Sequence, residues 1–234
     1  MSFSIAAAQA LLIAAPDQAL QIQLGAGGSS AVKLLLLLTA MSFATALLVS
    51  ITSFTRIVIV LSFVRQALGT PQLPPNQVLL GLALAISGFV MAPTFTKVYD
   101  TALAPYLDDK LPQAEAIERA SGPVREFLLK HTREADLRLF FEVAGKDRPT
   151  RGDAVPLTVA IPAFMVSELT TAFRMGLFIY IPLLLIDLLV ASILMSLGMA
   201  MVPPTLVSLP LKVGIFLLAD GWHLLVQSLV RSFA

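Results

Sequence analysis

Arg56, Arg65, Glu168, Arg174, Asp187, Lys212 and Asp220 stand in or beside long apolar runs. None has an opposite charge three or four residues away, where helical neighbours meet. A charge facing lipid is costly, so each needs a partner across helices, across chains or in a wet cavity. The long stem of Arg65 suits snorkelling to a headgroup region. Asp187 has apolar residues for a full turn on either side, and burial against another helix is the expectation. Two aspartates held together could share a proton and activate water, as in aspartic proteases. The surroundings "LLLIDLL" of Asp187 and "LADGW" of Asp220 carry neither the Tyr-Asp nor the Gly-x-Gly-Asp motif of intramembrane aspartyl proteases. His-Glu-x-x-His, Gly-x-Ser-x-Gly and a phosphate-binding glycine loop are all absent from the sequence. The chain has no cysteine and only two histidines, His131 and His223, far apart. We expect no catalytic residue, no metal site and no cofactor.

A second cluster is softer. In "MSLGMAMVPPT" (195–205), Met195, Met199 and Met201 surround Gly198, and Pro203 and Pro204 then break the helix. Leucine fills the apolar runs elsewhere. Methionine is unbranched and polarisable, so it closes around irregular shapes and re-packs easily. Ordinary core packing is the competing explanation, because methionine stripes in apolar helices usually face a core.

The elements that must carry these residues are unusually greasy. Of 234 residues, 57% are hydrophobic and 13% charged, with mean hydropathy +0.84. A soluble domain keeps about a quarter of its residues charged, so the composition points to a membrane protein with lipid as a partner. A net charge of +1 argues against a nucleic-acid partner. Residues 97–153 hold ten of the 16 Lys/Arg and eleven of the 15 Asp/Glu. The chain therefore reads as greasy, polar, then greasy.

The organisation expected is an N-terminal segment 1–31, a first hydrophobic hairpin 32–96, a polar helical segment 97–156 and a second hydrophobic hairpin 157–234. "FSIAAAQALLIAA" (3–15) has the length of a signal-peptide core, but no Lys or Arg precedes it and Pro16 sits badly for cleavage. "GAGGSS" (25–30) reads as a flexible break. Leu34 to Thr55 is uncharged over 22 residues, and about 20 cross a bilayer. "GTPQLPPN" (69–76) is a turn, and 78–95 a further apolar run. In the middle, Pro112 suits a first helical turn, Ser121 an N-cap and Gly145 a stop. Apolar sequence resumes near Pro162. Leu177–Val202 sets fifteen Leu, Ile, Val or Phe residues, each worth roughly 0.3–0.6 kcal/mol of insertion, against one Asp costing about 2.5–3.5. Insertion wins. After the double proline, one apolar stretch runs to the end. The charge-balanced middle gives no orientation by the positive-inside rule.

"PAFMVSELTTAFRMGLFIYIP" (162–182), "IDLLVASILMSLGMAMVPPT" (186–205), "LPLKVGIFLLADGWHLLVQSLVRSF" (209–233) and "SFTRIVIVLSFVRQALGTPQLPPNQVLLGLAL" (53–84) resemble the FliP family of flagellar protein-export gate subunits, which includes the SctR subunits of type III secretion injectisomes. The resemblance implies an all-α subunit of bent hydrophobic hairpins flanking a smaller polar segment. It implies a homo-pentamer that joins FliQ and one FliR beside FlhA and FlhB. Such an assembly sits in the bacterial inner membrane at the flagellar basal body, with its core largely on the periplasmic side, and passes unfolded flagellar proteins. By resemblance, Met199 and Met201 form a gasket on the channel axis, supported by Met195, with Pro203 and Pro204 breaking the helix there. A hydrophobic constriction of that kind gates by dewetting. Arg56, Glu168, Arg174, Asp187, Lys212 and Asp220 become buried or inter-subunit charges. Two departures stand out: Ala200 interrupts a run that is commonly three methionines, and Thr170 stands where lysine is common. The alternative reading is a polytopic small-solute transporter or ion channel, whose paths are also marked by lone charges and broken helices.

Overall fold

The computed structural model describes residues 28–70, 72–145, 147, 149, 155–199 and 201–234. The signal-peptide question at 3–15, most of the linker at 145–153 and the Ala200 side chain lie outside the described residues. All regular structure among the described residues is helical. The chain divides into two units, Met1–Leu47 and Leu48–Ala234.

Helix α1 is Gly28–Ile51. Gly28 to Ser30, read from sequence as part of a flexible break, already belong to it. Leu34 to Leu38, Met41 and Phe43 are all exposed, so α1 is apolar without a hidden stripe. The hydroxyls of Ser42 and Thr45 fold back onto the carbonyls of Leu38 and Ser42, which satisfies these two donors within the helix. Such a helix is stable in hydrocarbon rather than water. The uncharged run to Thr55 is nevertheless not one helix. It breaks at Thr52-Ser53, where the Ser53 hydroxyl donates to Ser87 Oγ at 3.0 Å.

The larger unit is built on α2 (Phe54–Ala67), which lies chiefly along α7 (Leu157–Ser196) and also against α3 (Asn76–Val98). The sequence "RIVIV" at 56–60 is rich in β-branched residues, which favour strands. It is helical because Ile57, Val60, Leu61 and Val64, all 0% exposed, repeat at helical spacing and bury one stripe. α3 continues through a π-helical turn, Tyr99–Leu103, into α4 (Ala104–Leu107). The polar segment follows as α5 (Gln113–His131) and α6 (Glu134–Val143). Ser121 does not cap a helix. α5 runs straight through it, and its hydroxyl donates to the Glu118 carbonyl. The start is set instead by Pro112 as the preceding residue, whose fixed φ of −70° leads into the first turn. Gly145, at φ +61°, sits just past the end of α6.

α7 is a single helix of 40 residues running through both Pro162 and Pro182, and it begins at Leu157 rather than near Pro162. At 1.5 Å per residue it is about 60 Å long, twice a hydrocarbon layer of ~30 Å. α8 (Pro204–Leu218) and α9 (Gly221–Arg231) replace the single run expected at the end; they meet at an angle of 63°. The elbow is Ala219-Asp220, with Asp220 left-handed at φ +51°. An Asp-Gly pair marks a turn in any context. By length and composition Val32–Ile51, Asn76–Leu107 and Leu157–Ser196 can each cross a membrane, and the bent α8–α9 pair makes a fourth.

Close helix contact is decided at Gly176. A Cβ built there lies 2.6 Å from Cγ of Phe63, whereas one at Gly214 meets nothing within 4 Å. We expect Gly176→Ala to destabilise the detergent-solubilised protein by about 1–3 kcal/mol, because the inner atoms of the Phe63 side chain have nowhere to go. Gly214→Ala should gain up to ~1 kcal/mol of helix propensity. Thermal unfolding of the two variants checks the contrast.

Candidate functional site

The hairpin between α7 and α8 ends in a loop closed by backbone geometry. Gly198, at φ +79°, donates its N–H to the Met195 carbonyl at 3.0 Å, and the Met199 N–H reaches the Leu194 carbonyl at 2.9 Å. These crossed bonds are the Schellman motif, which satisfies the last carbonyls of α7 and needs a residue tolerant of positive φ. Val202 N–H then bonds Met199 O at 3.3 Å, Pro203 precedes α8, and Pro204 occupies its first turn, where no N–H is needed. On this frame the side chains are uncovered. Met195 is 69%, Met199 45% and Met201 97% exposed, against 1% for Met91 in the core. None of the three is buried in the core.

A polar clamp crosses the same hairpin nearer its base. Asp187 on α7 accepts from Ser208 Oγ at 2.6 Å and from Lys212 Nζ at 2.5 Å, and both donors lie one turn apart on α8. The Lys212 ammonium also donates to the Ala67 carbonyl at 3.0 Å, at the C-terminal end of α2. A cation there answers both the carboxylate and the negative end of the α2 dipole. Three helices are thereby pinned at one point, with Ser208 and Lys212 buried. A cavity of about 80 Å³ adjoins the clamp, walled by Tyr180, Leu184 and Thr205.

A second buried charge pair holds α2 to the other half of α7. Arg56 presents Nε to Glu168 Oε2 at 2.9 Å and Nη2 to Oε1, a two-pronged fork with both residues almost fully buried. Its remaining face is used as well. Nη1 donates to the carbonyl and hydroxyl of Ser232, at 3.0 and 2.9 Å, and the guanidinium carbon lies 3.8 Å from the centre of the Phe233 ring. His131 takes up the neighbouring carbonyl, with Nε2 3.2 Å from Phe233 O and Nδ1 2.8 Å from Phe127 O. Two residues along α7 from Arg56's partner, Thr170 makes no hydrogen bond to Glu168. Its hydroxyl accepts from Arg133 Nη2 at 3.0 Å, within a cluster where Arg133 also forks onto Asp136 and the Ser167 hydroxyl donates to Asp136.

The remaining charges stand apart. Arg174 is exposed on α7 and makes no hydrogen bond or ion pair with any described residue. Asp220 is exposed at the elbow, away from the clamped carboxylate of Asp187. Arg65 bonds Asn76 Oδ1 at 2.5 Å. The described residues contain no group of His, Asp and Glu arranged to hold a metal. Sequence reasoning missed Ser208, His131, Ser232 and the Arg133–Asp136 pair. Ser208 was findable, lying one helical turn from Lys212. The C-terminal Ser232 and Phe233 carried no signal, because they meet Arg56 only through the tertiary fold.

Arg56→Met alone leaves Glu168 buried without its counter-ion, a loss of about 3–5 kcal/mol. Arg56→Met combined with Glu168→Met should recover more than half of it in thermal unfolding, since no lone charge remains. For His131, burial pushes the imidazole below its ordinary value of 6.5. Burial outweighs the two carbonyls that favour the proton, and Arg56 and Lys130 repel it. The unfolded chain then takes up the proton first, so stability present above pH 6.5 falls as the pH drops below it. Melting curves between about pH 7.5 and about pH 5 should show this decline, and His131→Gln should flatten it.

The sequence as a whole places this arrangement among known proteins. The FliP family pattern matches residues 37–229. The flagellar biosynthetic protein FliP of Bacillus subtilis (strain 168) is 54% identical over 205 residues, covering 88% of this chain and 93% of the relative. That of Pectobacterium carotovorum subsp. carotovorum is 53% identical over 210 residues, covering 88% and 81%. The FliP of Aquifex aeolicus (strain VF5) is 46% identical over 217 residues, covering 92% and 91%. The clamped hairpin, its methionine loop and the Arg56–Glu168 fork all fall within the matched span, and the chain belongs to the FliP family.

Proposed function

We infer that the chain is a subunit of the flagellar type III protein export gate in the bacterial inner membrane. Five copies surround a channel for unfolded flagellar proteins, with FliQ and FliR completing the conduit and FlhA and FlhB beside it. The core of the assembly lies largely towards the periplasm. Support comes from relatives named as flagellar biosynthetic proteins and from helices apolar and long enough to cross a membrane. The observation that carries the reading is the uncovered methionine loop. Apolar side chains as exposed as Met201 fit a place where other copies of the same loop supply the missing contacts.

In this gate, Met199 and Met201 of each copy converge as a gasket, with Met195 one turn behind. Thioether side chains close on one another when the channel is empty and yield to a passing chain, because three rotatable bonds give each many shapes. The backbone below them is held by Gly198, Pro203 and Pro204 and by the clamp of Asp187, Ser208 and Lys212. With Ala200 between the methionines, the seal has one soft side chain fewer per subunit. The other hydrophobic segments, 32–96 and 157–234 apart from the loop, build the wall, and 97–156 forms the polar part. The mechanism needs positioned bulk and no bond-making chemistry.

Replacing Met199 and Met201 together with alanine should leave the complex intact while cells or vesicles leak ions and small solutes; unchanged permeability defeats the gasket. Asp187→Ala should lower the yield of assembled complex more than it opens the closed seal, read by gel filtration and the same leak assay. Native mass spectrometry of the purified chain should give a ring near five copies. A stable monomer or dimer with solute transport activity would favour a small-solute carrier instead.

A further inference from the structure

A cleft of about 190 Å³ opens between the end of α3 and α5, with Pro93 and Thr94 on one wall, Glu126 and Lys130 on the other, and Phe127 and Phe233 as its floor. The floor is held in place by the fold itself. The Arg56 guanidinium carbon lies 3.8 Å from the centre of the Phe233 ring, His131 Nε2 is 3.2 Å from the Phe233 carbonyl, and the rings of Phe127 and Phe233 stack 6.4 Å apart. A ligand meeting such a surface does not have to order it first.

Two polar groups of the cleft have no partner. Thr94 is only 8% exposed, yet its hydroxyl makes no hydrogen bond with a described residue, whereas the large majority of buried hydroxyls are bonded. The hydroxyl is not sealed in; it keeps contact with the cleft, which Thr94 lines. Lys130, at the mouth, is exposed and makes no hydrogen bond or ion pair with a described residue. Lys97 and Glu126 pair with each other at 3.0 Å, and Arg56 behind the floor is answered by Glu168. Among Lys97, Glu126, Lys130 and His131, the titratable side chains lining the cleft, one positive charge is therefore uncompensated while His131 is neutral.

We propose that this cleft binds a small amphipathic carboxylate: its acid group meets Lys130, a compact apolar body lies on Phe127 and Phe233, and a hydroxyl at its far end bonds Thr94. The order of depth supports the arrangement, since the lysines are exposed at the mouth and Thr94 is buried within. By liquid volume the space equals about six water molecules. That is too little for a phospholipid, or for a helix about 10–12 Å across. An acidic side chain of another protein could reach Lys130 but would leave Thr94 unpaired. Attraction to one exposed lysine is weak, so the apolar floor and the Thr94 bond supply the selectivity. The inference goes beyond the gate reading and does not depend on the number of subunits.

The test is isothermal titration calorimetry of the full chain, purified in mild detergent in whatever assembly it forms, with 4-hydroxybenzoate as the probe. One molecule per chain should bind with a Kd at or below about 1 mM, within reach of so few atoms. Lys130→Gln should weaken binding about fivefold, and Lys130→Arg should largely keep it. Benzoate, lacking the hydroxyl, should bind wild type several-fold more weakly. Thr94→Val keeps the shape and breaks no bond, so its melting temperature should hold, and it should abolish the preference for 4-hydroxybenzoate over benzoate. Binding that does not saturate, or equal affinity in wild type and Lys130→Gln, overturns the site. So does efficient photo-cross-linking of Lys130→Cys, labelled with a benzophenone, to a second polypeptide. These variants should leave leak and subunit count unchanged, so a failed gate with normal acid binding would strike only the proposed function.

Discussion

The fork between Arg56 and Glu168 is the constraint on which the larger unit depends. Two full charges lie in an apolar interior, and each is tolerable only while the other stays in place. Their geometry fixes the register of α2 along α7, since a guanidinium presenting Nε and Nη2 to two carboxylate oxygens has little freedom to slide. From that register follow the stripe of Ile57, Val60, Leu61 and Val64, the contact of Phe63 with Gly176, and the arrival of Ala67 O at Lys212. The same guanidinium gathers Ser232 and Phe233, so a residue near the start of the unit also holds its last described turn.

The two buried pairs divide α7 into halves with different surroundings. The half around Glu168 is bonded to the polar helices through Ser167 and Thr170. The half around Asp187 meets α8 and the end of α2, while Leu184, Leu185, Leu188 and Leu189 remain uncovered. A helix about twice the thickness of a bilayer's hydrocarbon needs such a division. One stretch is clothed by protein and polar groups, and the other presents bare leucines.

Much of this was legible in the sequence, for reasons that differ by element. Apolar runs without charge announce helices of membrane composition, because unpaired backbone groups are not tolerated in hydrocarbon. The loop at 195–205 was conspicuous because glycine followed by two prolines permits few backbone paths. Breaks inside apolar runs were harder. Thr52-Ser53 interrupts a stretch whose hydropathy barely changes, and Asp220-Gly221 was read through despite being a turn pair. Ser121 misled because a good capping residue is also tolerated inside a helix, where its hydroxyl returns to a carbonyl one turn back. Which cation answers which carboxylate was not legible at all. Arg56 and Glu168 are far apart in the chain, and only the stacking of α2 on α7 brings them together.

The crossed hydrogen bonds around Gly198 have a consequence for tempo in the proposed gate. They confine yielding to the methionine side chains, because the peptide path beneath is already committed. Exposed side chains change rotamer in picoseconds to nanoseconds, whereas refolding a loop or swinging a helix takes microseconds or longer. An aperture that adapts through thioether torsions alone can follow each residue of a moving polypeptide and shut behind the last one without delay. Transit speed would then be set by whatever pushes the cargo.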